Sequence, residues 1–196
     1  VCAAFAAGRD GGAKGCGVKG QSAGDGTGNR GDGADRDHDP VRTLRLVRSA
    51  PSIALVGTYP PRRCGIATFT DDLSRAIADA DQQSTPVGIA VNDPGCEYDY
   101  GADVHYQIRQ AVKGDYARAA EFVNYAGVGL VSIQHEHGIF GGDDGAYILD
   151  FVAALQVPAL ATLHTVLAEP SSSQRHIVSR LGARCGRLVV MSQVAA

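Results

Sequence analysis

The sequence predicts an α/β fold with a doubly wound, mostly parallel sheet, and three observations carry that expectation. Short apolar runs alternate with amphipathic stretches from about residue 49 onward. The runs are near-continuous in apolar residues, the pattern of strands buried on both faces. The stretches between them are long enough for crossover helices, and such crossovers are right-handed.

Each element has its own signal. "SIALVG" (Ser52 to Gly57) is a short buried strand. "GIATFTDDLSRAIADA" places Ile66, Phe69, Leu73 and Ile77 at helical spacing along one face. "TPVGIAVND" (Thr85 to Asp93) is a second strand, and "VHYQI" (Val104 to Ile108) a short third. "GDYARAAEFVNYAG" is a helix with Asp115 as its N-cap and Gly127 at its end. "VGLVSIQHE" (Val128 to Glu136) is a strand, and "GAYILDFVAAL" a helix stopped before Pro158. "PALATLH" (Pro158 to His164) is a strand, "SSQRHIVSRLGAR" a helix, and "RLVVMS" (Arg187 to Ser192) the last strand. Together these make a Rossmann-like layer over residues 49–196.

Residues 1–48 differ in kind. The first 40 hold 11 of the 25 glycines, and Val1, Phe5 and Val18 are their only large apolar residues. Such a segment cannot offset its chain entropy by burial, so a disordered Gly/Asp/Arg-rich extension is expected.

Composition excludes several function classes. A net charge of -3 does not suit a nucleic-acid binder. The five cysteines contain no C-x-x-C pair, which argues against a zinc ribbon and fits reduced thiols in a cytoplasmic protein. No apolar run reaches the roughly 20 residues of a membrane span, and "VCAAFAAGRD" lacks the features of a signal peptide.

In an open parallel sheet, ligands bind beyond the carboxyl ends of the strands. After the first strand comes "TYPPRRCG", where Gly65 opens a helix and Arg62 and Arg63 offer fork-shaped donors. Unpaired N–H groups and the helix dipole there make an anion cradle; an ordinary turn with two solvated arginines is the alternative. That loop holds neither G-x-G-x-x-G nor a P-loop, and no apolar strand precedes any of the glycines in residues 1–40, which counts against an NAD-dependent oxidoreductase. After the fourth strand comes "HEHGIFGG". His135 and Glu136 suit a polyol, and Gly141 and Gly142 would let a ligand approach closely. A histidine pair satisfied by backbone carbonyls is the competing explanation. His135 and His137 face one way in extended chain, but their spacing is not H-E-x-x-H and no fourth ligand is evident, so no metal is expected. After the fifth strand come His164 and Thr165, turned toward the same crevice.

Four stretches, "GTYPPRRCGIATFTDDL", "SIQHEHGIFGG", "TLHTVL" and "VVMS", resemble the N-terminal half of bacterial family 4 glycosyltransferases of the GT-B fold, over roughly Ile53 to Ala196. The resemblance implies two Rossmann-like domains facing across a cleft, the N-terminal one for the acceptor and the C-terminal one for a nucleotide-sugar donor. It implies transfer to an acceptor hydroxyl with retention of configuration, without a metal or other cofactor. By position Gly65 matches the glycine near the donor diphosphate, and His164, accompanied by Thr165, the histidine at the donor sugar. His135 and Glu136 match a cleft-lining pair, while His137 stands where an aromatic residue is expected. The expected partners are the nucleotide-sugar, a sugar or lipid-linked acceptor, and the C-terminal domain, whose Arg/Lys pair and glutamate motif have no counterpart here. The sequence therefore reads as a fragment with negligible transfer activity alone. No basic amphipathic helix supports a membrane surface as partner. A non-catalytic Rossmann-type sugar- or nucleotide-binding module is the runner-up.

Overall fold

A computed structural model describes residues 52–82 and 84–191. The expected extension over residues 1–48 and the end of the last expected strand at Ser192 lie outside the described residues.

Six strands form one sheet: β1 (Ser52–Gly57), β2 (Val87–Asn92), β3 (Val104–Arg109), β4 (Val128–His135), β5 (Ala159–Leu163) and β6 (Arg187–Val190). Every pairing is parallel, in the order β3-β2-β1-β4-β5-β6. The chain moves outward from β1 through β2 to β3, then returns to lay β4 on the other side of β1. That reversal opens a crevice at the carboxyl ends of β1 and β4, the place where Rossmann-like sheets bind ligands.

The helices are α1 (Gly65–Ala80), α2 (Lys113–Tyr125), α3 (Ile148–Ala154) and α4 (Ser172–Arg184). Helices α2, α3 and α4 pack together on one face. Alternate strand residues such as Val56, Ile89, Ile133 and Ala161 meet Tyr116, Phe151, Ile177 and Leu181 there in the main core. On the other face α1 brings Leu73 and Ile77 against Leu55 and Ala90, and Tyr100 of the β2–β3 loop joins them. The fully buried positions of α1 are Ala67 and Thr70. Small side chains there let the helix come close, and a Cβ on Gly57 would meet both Thr70 Oγ1 and Gln134 Cβ at 3.1 Å.

Two expectations about the helices are corrected. Asp115 is not an N-cap: α2 begins earlier, after Val112, and Asp115 sits inside its first turn. There its buried carboxylate takes Arg109 Nε at 2.7 Å and Arg118 Nη1 at 3.1 Å. These guanidinium hydrogen bonds hold the Asp115 carboxyl below the usual carboxylate range against the opposing effect of burial. The helix read in "GAYILDFVAAL" starts only at Ile148, because Gly145 has φ +88° and belongs to a 3-10 turn over Asp143–Gly145. A side chain at Gly145 would approach the His137 carbonyl to 2.7 Å, so the turn needs glycine.

Candidate functional site

The first junction, between β1 and α1, is capped by sulfur. Cys64 is extended, and its Sγ accepts from Ala67 N at 3.3 Å while lying 3.2 Å from Thr58 Oγ1. This leaves the N–H groups of Gly65 and Ile66 without an acceptor among the described residues. Gly65 is exposed, with nothing within 4 Å of where a Cβ would stand. The two arginines part company. Arg62 is ion-paired to Asp93 at 2.6 Å, its side chain 17% exposed, so its charge is already answered. Arg63 stays exposed. The cradle read from both arginines thus reduces to two backbone donors and Arg63.

The second and third junctions meet through hydrogen bonds. His164 N donates to the His135 carbonyl at 3.0 Å. The Gln134 amide donates to Ser132 Oγ at 3.0 Å, so its Oε1 is left to accept from His164 Nε2 at 3.0 Å. In that arrangement the His164 proton sits on Nε2 and the lone pair on Nδ1. Phe69 meets the imidazole at 4.8 Å in an edge contact, tying α1 to the end of β5. Burial lowers the His164 pKa, opposed in part by the Glu136 carboxylate, so the ring is neutral at pH 7. Thr165 Oγ1 donates to Glu136 Oε2, whose other oxygen accepts from His137 N at 3.0 Å. Glu136, His164 and Thr165 therefore form one connected rim, which Phe69 links to the helix that Gly65 begins.

His135 is a correction. Its ring is fully buried on the α2–α4 side, stacked on Phe140 and edge-on to His137. Neither ring nitrogen has a partner among the described residues, and burial, with His137 and His164 nearby, pushes its pKa down to about 3. What reaches the rim is its carbonyl, not its imidazole. Gly141 and Gly142 are a second correction. A Cβ on Gly141 would lie 1.9 Å from the Gln110 carbonyl oxygen, and one on Gly142 would lie 2.6 Å from the Tyr147 ring. At both glycines a side chain would meet the protein's own chain. His137 donates from Nδ1 to the Asp144 carbonyl at 3.0 Å, which fixes its tautomer and leaves Nε2 as an acceptor.

Sequence reasoning missed Gln134 and Phe69. A glutamine inside the apolar run "LVSIQH" is the signal that was present for the first. Phe69 passed as an ordinary member of an apolar helix face. Asp144, at φ +53°, was also passed over; its carboxylate takes Ser171 Oγ at 2.9 Å and Gln174 Nε2 at 3.3 Å, joining this loop to the start of α4.

Among the hollows that border the described residues are two of unequal size. The larger, about 470 Å³, is lined by Glu121, Asn124, Tyr125 and Gln156, at the edge where the strands begin and remote from the rim. The other, about 290 Å³, adjoins the rim and includes His137 and Thr165. Among the described residues no group of three His, Cys, Asp or Glu side chains is placed to hold a metal ion, and no helix is long and apolar enough to cross a membrane. A scan against protein-family models and a search of curated proteins find no match to this chain.

Proposed function

We propose that residues 49–196 are the acceptor-side half of a retaining glycosyltransferase that uses a nucleotide-sugar donor. The observation that carries the proposal is the shared rim: amides of Gly65 and Ile66 without an acceptor among the described residues on one side, and the linked His164, Thr165 and Glu136 on the other. An anion fits the first and hydroxyl groups fit the second. In the reaction the acceptor hydroxyl oxygen bonds to the anomeric carbon as that carbon's bond to the diphosphate oxygen breaks. The hydroxyl proton leaves with the diphosphate. The Gly65 and Ile66 amides, with Arg63, favour charge building on the departing diphosphate. His164, neutral and held by Gln134 and Phe69, presents Nδ1 to a donor-sugar hydroxyl and orients the sugar. On this account the nucleotide is held by a second Rossmann-like domain facing the rim.

Gly65→Pro tests the cradle. Gly65 is the first helical residue, Cys64 before it is extended, and the space beside it is open. Proline is tolerated there and deletes one N–H. Titration of the full chain with pyrophosphate and with UDP- and GDP-sugars, followed by amide NMR, should move the Gly65 and Ile66 signals in the parent. In Gly65→Pro the Ile66 shift should need several-fold more ligand, with the fold unchanged by circular dichroism. No movement at these amides with any of the ligands would reject the proposal.

A further inference from the structure

The hollow beside the rim is mostly apolar. Leu163 of β5, Val166 and Leu167 of the following loop, and Val178 of α4 line it, with His137, Thr165 and Gln174 among its polar groups. Leu163 is buried, yet Val166 and Leu167 are 48% and 40% exposed. Exposed aliphatic side chains gathered around one open hollow mark a ligand site more often than scattered surface ones do. Its volume is about 290 Å³, roughly twice the ~150 Å³ that holds one benzene ring.

Two of these polar groups are tied to the rim. Thr165 Oγ1 donates to Glu136, which leaves the threonine lone pairs as acceptors. His137 has spent its Nδ1 proton on Asp144, and its Nε2 has no partner among the described residues. Both groups therefore accept from a hydroxyl. Among the described residues no carboxylate lines the hollow, and Arg175 is the one arginine that does, with Nη2 donating to the Pro170 carbonyl at 3.2 Å. The mostly apolar lining with these two acceptors suits an uncharged molecule that carries a hydroxyl.

We infer that this hollow holds the apolar body of the acceptor, an alcohol carrying an aliphatic chain, with its hydroxyl end at Thr165 and His137 facing the rim. The word acceptor rests on the glycosyl-transfer proposal; the pocket and the amphipathic character of its occupant stand on the geometry alone.

The test uses the full chain and two probes, octyl β-glucoside below its micelle concentration and glucose. Methyl NMR should show octyl glucoside shifting Leu163, Leu167 and Val178, while glucose leaves them in place. Leu167→Lys puts a charge at an already exposed position, so it should leave the fold intact and weaken octyl glucoside binding roughly tenfold or more. Equal shifts with both probes, no shift with either, or unchanged affinity in Leu167→Lys would each overturn the inference. So would sedimentation showing a dimer that Leu167→Lys dissolves while the octyl glucoside titration stays flat, since the patch would then be a contact between copies. Pyrophosphate shifts at Gly65 and Ile66 should persist in Leu167→Lys, so failure here is distinguishable from failure of the cradle.

Discussion

Replacing His135 by phenylalanine changes how the fold answers to acid. The imidazole is fully buried, stacked on Phe140, and has two ring nitrogens without partners among the described residues. In the unfolded chain it takes a proton near its ordinary pKa of 6.5, and in the folded chain only near about 3. The folded pKa is depressed and the group is a base, so protons favour the unfolded state. The stability tied to the neutral ring is whole above 6.5 and is lost as pH falls from there toward 3. From about pH 7.5 to about pH 5.0 the unfolded chain gains nearly one proton that the folded chain does not, worth about 2 kcal/mol by linkage. His164 moves in the same direction but is present in both proteins, so their difference isolates His135. Urea denaturation at the two pH values should therefore show the parent losing about 2 kcal/mol more than His135→Phe. At the higher pH the variant should be the more stable by roughly 1 kcal/mol, because a phenyl ring removes two unpaired buried polar atoms. The parent also carries a direct check, since the His135 ring signals should not titrate between pH 7.5 and about pH 5.0. Parallel losses in the two proteins, or ring signals moving near 6.5, would refute the reasoning.

Two further substitutions probe the site's frame. Gly141→Ala drives a methyl to within 1.9 Å of the Gln110 carbonyl oxygen; since backbone must shift, the urea midpoint should fall by the equivalent of roughly 1–3 kcal/mol or more. Gln134→Met keeps the shape of the side chain but removes the acceptor of the His164 Nε2 proton and the donor to Ser132. That proton's NMR signal should lose its protection from solvent exchange, and stability should drop by about 1–3 kcal/mol.

Much of the architecture could be read from residues alone, for physical reasons that differ by element. Strands such as "SIALVG" and "LVSIQH" are apolar because helices cover both faces of the sheet, so near-continuous burial was visible without coordinates. The start of α4 was also legible, since Ser171 and Gln174 make a reciprocal capping box. Asp115 misled because an acidic residue in the first turn resembles a cap, and its attraction to Arg109 and Arg118 is a through-space fact. The glycines after β4 misled in the same way. A Gly-Gly pair signals a close approach but not whether the approaching atoms are a ligand's or the chain's own.

Local chemistry along the chain was enough to set the order of strands and helices and to bring three polar junctions to one sheet edge, because parallel strands joined by crossovers must all end there. It could not set which face each junction residue takes. When both faces of a strand are buried, the two-residue alternation has no polar side to anchor it. Packing against Phe140 made His135 part of the core, and contact with Phe69 and Gln134 made His164 part of the rim. The pairing of Arg62 with Asp93 and the hollow between the β5–α4 loop and α4 likewise exist only once distant segments close on one another.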